Sequence, residues 1–131
     1  MYQFVIPIHH VNWSTRSVLE GISQKYKPKQ IFVVTSDQEI KILKEKSKFW
    51  NIKNLNLLNE DNFFLNKYNL TKTDIVSQIT QNKPNYTPGW LYQQIIKLGA
   101  NDVLDELDEV FVVWDSDCLL YTSDAADEQF G

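Results

Sequence analysis

Cysteine and glycine are scarce in this sequence, and each shortage excludes a class of functional site. Among 131 residues the one cysteine is Cys118, so a disulfide framework and a thiolate metal cluster are both excluded. Four scattered glycines exclude the glycine-rich loops that hold phosphates in P-loop and dinucleotide-binding proteins. No apolar run is long enough to span a bilayer, and no basic segment precedes the first apolar run. We therefore expect a soluble protein of the reducing cytoplasm.

The last 14 residues do not resemble the rest of the chain. Cys118 to Glu128 read CLLYTSDAADE, the conceptual translation of a transposase adapter used to build sequencing libraries. We expect residues 1–117 to be the amino-terminal part of a longer protein and residues 118–131 to be a non-native tail. The tail holds three of the 17 acidic residues and no basic one, so the remainder, with 13 basic residues, is almost neutral. That balance gives no basis for nucleic-acid binding.

Strand and helix patterns alternate along the first half of the chain. Apolar, β-branched runs at 3–8 and 30–35 predict strands, and 54–58 predicts a weaker third strand. A helix capped by Ser14 or Thr15 and a lysine-rich helix separate them, and in the second helix we expect three side chains to face inward. These are Ile40, Ile42 and Leu43. Strands separated by helices of this length predict an α/β fold with a mostly parallel sheet covered on both faces.

The second half of the chain is less regular. Segment 62–86 has no sustained period and is interpreted as an insertion or mobile flap, although 73–80 could form a helix. Thr87 and Pro88 predict a helix start and Gly99 its end, giving a helix over 89–98 with Leu91, Ile95 and Leu98 on one face. A final apolar run at 110–114 predicts a strand.

Two carboxylates follow that last strand at alternate positions. Asp115 and Asp117 are expected at the carboxyl edge of the parallel sheet, where ligands of open α/β folds bind. Hard oxygen ligands suit Mn²⁺ or Mg²⁺, and these ions bridge phosphate oxygens and stabilise the charge on a leaving diphosphate. Asp-Ser-Asp is equally typical of a polar turn that ends a strand. Spacing alone leaves both interpretations open.

The helix PGWLYQQIIKL, the acidic segment after it and the strand ending in Trp114-Asp115-Ser116-Asp117 resemble the signature of GT-A type glycosyltransferases. The resemblance is to the bacterial DUF6492 family in particular and covers residues 1–117, with GWxxQQxxKL and DxD as its specific motifs. It implies a Rossmann-like nucleotide-diphospho-sugar transferase fold, truncated after the DxD strand. It also implies a nucleotide-sugar donor at the sheet edge and a divalent metal between DxD and the diphosphate. Asp117 would ligate the metal directly, and Asp115 would contact a metal-bound water or the donor ribose.

Further candidate residues lie where the donor would bind. The nucleoside is expected over the ends of the first two strands, at Ile8, His9, Thr35, Ser36 and Asp37. The sugar and phosphate are expected on one helix face, formed by Trp90, Gln93, Gln94 and Lys97. His9 and His10 lack a third ligand for zinc. Related transferases often carry an acid in the loop after the first strand, but this chain has none there before Glu20. Polar loops, a helix cap at Ser36 and a solvated helix face are the structural alternatives.

The predicted activity is metal-dependent transfer of a sugar to an unknown glycan or other acceptor. A general base, if the reaction inverts, is expected beyond residue 117, so the fragment itself should be inactive. One alternative is a phosphatase of the haloacid dehalogenase type, which also ends a strand in Asp-x-Asp and uses one Asp as nucleophile. Its motif usually ends the first core strand, whereas here at least two strand-helix units precede it. The other alternative is a non-catalytic α/β binding module.

Overall fold

Four parallel strands form one sheet in this computed structural model, which describes residues 2–82, 85 and 87–115. The strands are β1 (Gln3–Pro7), β2 (Gln30–Thr35), β3 (Leu55–Asn59) and β4 (Val112–Val113). The helices are α1 (Thr15–Tyr26), α2 (Asp37–Lys46), α3 (Leu65–Tyr68), α4 (Lys72–Asn82) and α5 (Pro88–Val103), with 3-10 turns at Ser47–Phe49 and Glu60–Asn62. The predicted α/β class with a parallel sheet is confirmed. No helix in the described part of the chain is long and apolar enough to cross a membrane.

The strand order places a reversal at β1. The order is β3-β2-β1-β4, so the chain moves outward to one side through β2 and β3 and then returns to the other side of β1. Val5 of β1 lies opposite both Phe32 of β2 and Val113 of β4. In open α/β sheets, ligands bind outside the carboxyl ends of the strands at such a reversal. The carboxyl ends of β1 and β4 are therefore the expected binding position.

Each face of the sheet is covered by its own core, as the apolar runs predict. Alternate residues of a strand point to opposite faces, so Phe4 and Ile6 join one core while Val5 joins the other. The first core lies against α1 and α2 and contains Phe4, Ile6, Ile8, Val18, Leu19, Ile22, Ile31, Val33 and Leu43. The second lies against the helices after β3 and contains Val5, Phe32, Val34, Phe63, Phe64, Tyr92, Ile96 and Ala100. In α2, Ile40 and Leu43 are buried as predicted, but Ile42 is only half-buried.

The start of segment 62–86 belongs to the second core and is not a mobile flap, while the interpretation as an insertion stays a prediction. Phe63 and Phe64 are buried in the second core, their rings meeting edge to face at 4.9 Å between centroids. The helix suggested at 73–80 is confirmed and is longer, spanning Lys72–Asn82. Lys72 donates from Nζ to Glu60 Oε2 at 2.5 Å, joining α4 to the end of β3. The aromatic pair lies between a 3-10 turn and the short helix α3. The start of the segment therefore shows no helical period in its sequence.

Helix α5 does not end at Gly99, contrary to the prediction. It continues through Gly99 to Val103, and the backbone N–H of Leu104 donates to the Ala100 carbonyl. A Cβ on Gly99 would lie 2.8 Å from Phe64 Cε1, so the glycine allows the helix to approach this ring closely. The buried face carries Tyr92, Ile96 and Ala100, whereas Leu98, predicted to share one face with Leu91 and Ile95, is exposed.

Strand β4 is held in place through a buried amide at the start of β1. Gln3 is fully buried, and its Nε2 donates to the Glu106 carbonyl at 2.7 Å while its Oε1 accepts from the backbone N–H of Asp108 at 2.8 Å. The segment between α5 and β4 is thereby fixed at the amino edge of the sheet. The strand itself is shorter than the predicted 110–114, with two residues paired to β1. The Trp114 backbone N–H adds a bond to the Val5 carbonyl at 3.1 Å.

Replacing Tyr92 with phenylalanine should lower the free energy of unfolding by about 1 to 2 kcal/mol, because the buried Glu60 carbonyl loses its donor. The Tyr92 hydroxyl donates to that carbonyl at 2.5 Å. Burial, reinforced by the nearby Glu60 and Asp61 carboxylates, raises the pKa of the Tyr92 hydroxyl above its usual value. The pKa of this hydroxyl is higher in the folded protein than in the unfolded chain, where it is about 10. Its contribution to stability is therefore complete below pH 10 and is lost as the pH rises further.

Urea denaturation between pH 7 and pH 11 measures both effects. The wild-type protein should lose more stability above pH 10 than the Tyr92→Phe variant does. Tyr2→Phe, which removes a hydroxyl from an exposed side chain, is the matched control and should change the unfolding free energy little. Equal stability of the Tyr92→Phe variant and the wild type at pH 7 would contradict the expected role of this hydroxyl.

Candidate functional site

The carboxyl end of β1 presents a polar loop, residues 8–14, to solvent. Ile8 is buried in the first core, and its backbone N–H donates to the Val34 carbonyl at 2.9 Å, so Ile8 fixes the loop rather than offering a ligand contact. His9 and His10 are exposed, with ring centroids 4.1 Å apart. Of the two predicted nucleoside contacts in this loop, His9 alone has an accessible side chain.

The end of β2 contributes less than the sequence suggests. Thr35 is fully buried, and its Oγ1 has no hydrogen-bond partner among the described residues. Ser36 is the N-cap of α2, where its hydroxyl accepts from the backbone N–H of Glu39 at 3.3 Å, which is the structural alternative considered for it. Asp37 is exposed and pairs with Lys41 at 3.3 Å. Asp37 thus remains the most accessible of the three predicted residues.

Asp115 lies just beyond β4, at the strand-order reversal. Its carboxylate is 59% exposed and accepts a hydrogen bond from Lys97 Nζ, whose side chain is only 14% exposed. Lys97 extends from α5, so a largely covered lysine side chain meets an accessible carboxylate at the rim of the sheet. Asp117, the second acid of the pair, lies outside the described residues. Within residues 2–82, 85 and 87–115, no cluster of three acidic or histidine side chains could hold a metal ion.

The remaining candidates lie on α5, on the amino-terminal side of Lys97. The segment after α5 meets Gln3 at the amino edge of the sheet, so α5 runs opposite to the strands and begins at their carboxyl side. Trp90 precedes Lys97 by seven residues, which places it about 10 Å further out along the helix. Its side chain is exposed, while Gln93 and Gln94 are half-buried. The structure therefore joins Lys97 to Asp115 and places the other three on the helix leading outward from that pair.

A buried carboxylate that the sequence analysis missed supports the loop after β1. Glu39 of α2 accepts from the backbone N–H of Val11 through Oε2 at 3.2 Å, and its Oε1 lies 3.2 Å from His10 Nδ1. The loop after β1, which has no acidic residue of its own, thus contacts a carboxylate from α2. The spacing Ser36-x-x-Glu39 is typical of a capping box, which predicts a local role for Glu39 and hides this longer contact.

A surface depression lies at the amino edge of the sheet, opposite to Asp115, and has no acidic lining residue. Lys27 and Pro28 after α1 line it together with Asn51, Lys53 and Asn54 before β3. No carboxylate is among its lining residues, so it lacks the negatively charged oxygen ligands typical of Mn²⁺ and Mg²⁺ sites. The carboxyl edge, with Asp115, is the better candidate.

Comparison with known proteins identifies a family. The model of DUF6492, described as a family of unknown function, matches residues 16–128. No curated protein matches the chain, and no solved structure does. The matched range includes most of residues 118–131, for which an adapter origin stays a prediction.

Proposed function

Since the chain belongs to the DUF6492 family, we propose that it is the donor-binding part of a GT-A-like glycosyltransferase. The reaction would transfer a sugar from a nucleotide-sugar donor to a glycan or other acceptor, in the cytoplasm. Mn²⁺ or Mg²⁺ would act as Lewis acid on the leaving diphosphate. The acceptor site and any general base would lie outside residues 1–117.

The position of Asp115 carries this proposal. It combines an accessible carboxylate, the carboxyl end of a strand, and the strand-order reversal at which α/β folds bind ligands. A divalent cation held there by Asp115 and Asp117 would lie beside the ammonium of Lys97. The two positive charges together would stabilise the diphosphate better than either could alone.

The other residues follow from where the diphosphate would lie. Neighbouring parallel strands are about 4.8 Å apart, so a nucleoside joined to a diphosphate at β4 would cover the end of β1 and reach the loop containing His9. The sugar would extend along the outer part of α5, toward Gln94 and Trp90. Glutamine amides hydrogen-bond sugar hydroxyls, and an exposed indole offers an apolar wall.

The position of the motif along the chain weighs against the phosphatase alternative. In that alternative the Asp-x-Asp motif ends the first core strand, whereas here three strands precede β4 in the chain. The ion pair between Lys97 and Asp115 is the observation that favours a non-catalytic module, because a neutralised acid at a strand end can be purely structural.

Isothermal titration calorimetry of nucleotide binding and a phosphate-release assay, both on the full-length protein, separate the three functions. A transferase should bind a nucleoside diphosphate, tested as UDP, GDP, ADP and CDP, more tightly with Mn²⁺ than with EDTA. A phosphatase should hydrolyse a phosphate monoester with Mg²⁺ and show no nucleotide dependence. A binding module should do neither, and that result would overturn the proposal.

Replacing Lys97 with methionine should separate its effects on the metal and on the phosphates. Without the competing ammonium, Asp115 becomes a freer ligand, so Mn²⁺ alone should bind several-fold more tightly. Loss of a cation beside the diphosphate should weaken nucleoside diphosphate binding about tenfold, the effect of losing roughly one charge-assisted hydrogen bond. Electron paramagnetic resonance of free Mn²⁺ and calorimetry of the nucleotide measure the two effects.

Lys67→Met is the matched control, because Lys67 pairs with Asp102 at 3.3 Å on the outer surface of α3 and α5. Both affinities should be unchanged in that variant. Unaltered nucleotide affinity in the Lys97→Met variant would show that Lys97 pairs with Asp115 for structural reasons alone.

A further inference from the structure

Trp13 is a large apolar side chain held in solvent at the candidate site. It lies in the loop of residues 8–14 that joins β1 to α1, and 83% of its surface is exposed. The loop begins at the carboxyl end of β1, the strand beside which the order of the sheet reverses. The indole therefore belongs to the same sheet edge as Asp115, one strand away.

The backbone on both sides of Trp13 is fixed by hydrogen bonds. Before it, the backbone N–H of Val11 donates to Glu39 Oε2, and the backbone N–H of Asn12 donates to Thr15 Oγ1 at 2.9 Å. After it, the N–H and the hydroxyl of Ser14 both donate to Asn12 Oδ1, at 2.9 and 2.7 Å. Ser14 and Thr15 are themselves buried. The loop backbone is thus preorganised, and it carries Trp13 with its side chain exposed to solvent.

An exposed indole on a backbone held by hydrogen bonds suits a flat aromatic ligand. Stacking between bases and aromatic side chains tolerates every base, because each base has a π-face. A preorganised loop backbone reduces the freedom that is lost on binding to that of the Trp13 side chain. With the diphosphate beside Asp115, as proposed above, the adjoining nucleoside would reach the loop after β1. The sugar would lie on the other side of the diphosphate.

We infer that Trp13 is the platform on which the nucleobase of the donor stacks. This inference rests on the proposed function and deepens it, because it assigns the nucleoside half of the ligand to one side chain. Glu39 acts through the loop as a positioning residue: its buried carboxylate accepts from the backbone N–H of Val11 and so helps to fix the loop that carries Trp13. The interaction supplies affinity for a nucleobase in general, while hydrogen-bonding groups nearby select which base.

The test measures binding of three probes to the full-length protein with Mn²⁺ present. The probes are the tightest-binding nucleoside diphosphate of UDP, GDP, ADP and CDP, the matching nucleoside, and inorganic diphosphate. Trp13→Ala should weaken the nucleoside diphosphate and the nucleoside about tenfold or more and leave inorganic diphosphate unchanged. Trp13→Phe should restore most of the affinity, because it keeps an aromatic face.

Phe49→Ala is the matched control. Phe49 is 84% exposed, as Trp13 is, but it follows the end of α2, which runs back from the carboxyl edge of the sheet. This variant should bind all three probes as the wild type does. Thermal unfolding of each variant separates loss of a binding contact from loss of the fold.

The outcomes distinguish failure of the inference from failure of the proposed function. Normal nucleotide affinity in Trp13→Ala, or an equal loss for inorganic diphosphate, overturns the stacking role while the transferase proposal stands. Absence of nucleotide binding to the wild-type protein with Mn²⁺ overturns both.

Discussion

Asp115→Asn combined with Asp117→Asn should abolish the Mn²⁺ dependence of nucleoside diphosphate binding and reduce sugar transfer at least about a hundredfold. Asparagine keeps the shape of the side chain and removes the negative charge that a divalent cation requires. A metal acting as Lewis acid supplies several kcal/mol of transition-state stabilisation, and each 1.4 kcal/mol corresponds to about tenfold in rate. Calorimetry with Mn²⁺ or EDTA, and release of the free nucleoside diphosphate from a sugar donor, measure the two effects.

The single variants and a control sharpen this experiment. Because Asp115 already pairs with Lys97, Asp115→Asn alone leaves that ammonium free to approach the phosphates and should show a smaller loss than Asp117→Asn. Asp37→Asn removes an exposed carboxylate that pairs with Lys41, and it should leave the metal dependence intact. Undiminished transfer in the double variant would refute a metal role for the acid pair.

Gly99→Leu should destabilise the fold by about 3 kcal/mol, since overpacking a filled interior typically costs 1–3 kcal/mol and occasionally more. Even the Cβ of a substituted side chain would lie 2.8 Å from Phe64 Cε1 and 3.3 Å from Cζ. The ring cannot simply move away, because it is buried and packs edge to face against Phe63 and Tyr92. Chemical denaturation of the wild type and the variant gives the difference in the free energy of unfolding, provided that the two m-values are equal.

Gly89 provides a control within the same helix. A Cβ at Gly89 meets nothing within 4 Å, so Gly89→Leu should be neutral or slightly stabilising, reflecting the gain in helix propensity of up to about 1 kcal/mol. Phe64→Leu, introduced into the Gly99→Leu background, should recover part of the lost stability by making room. Equal stability of the Gly99→Leu and Gly89→Leu variants would mean that α5 does not approach Phe64 as closely as described.

Most of the central fold was predictable because its signals are local. The two apolar runs that form β1 and β2 are continuous, and the inward residues of α1 recur with the helical period. Thr87 and Pro88 likewise predicted the start of α5 correctly. These signals depend on a few neighbouring residues, and tertiary contacts reinforce them.

The predictions failed where a residue contacts a part of the protein that is distant in sequence. Gly99 carries the local signal of a helix end, but its role is set by Phe64, 35 positions earlier in the chain. The same is true of Glu39, whose capping-box spacing gives no indication that its carboxylate reaches Val11. For the candidate site, the sequence predicted Lys97 and Asp115 separately. Their contact depends on how α5 lies across the sheet, which spacing does not specify.

The pairing of β1 with β4 bears on the order in which this protein folds. Bonds from Gln3 to Glu106 and Asp108 join residues 103 and 105 positions apart, and β4 pairs with β1 over a similar separation. Closing so long a loop costs chain entropy that local helices do not incur, so such contacts tend to form late. During synthesis, β1 and β2 can associate long before Asp115 leaves the ribosome. The rim that holds this acid is therefore completed only after the scaffold beneath it exists.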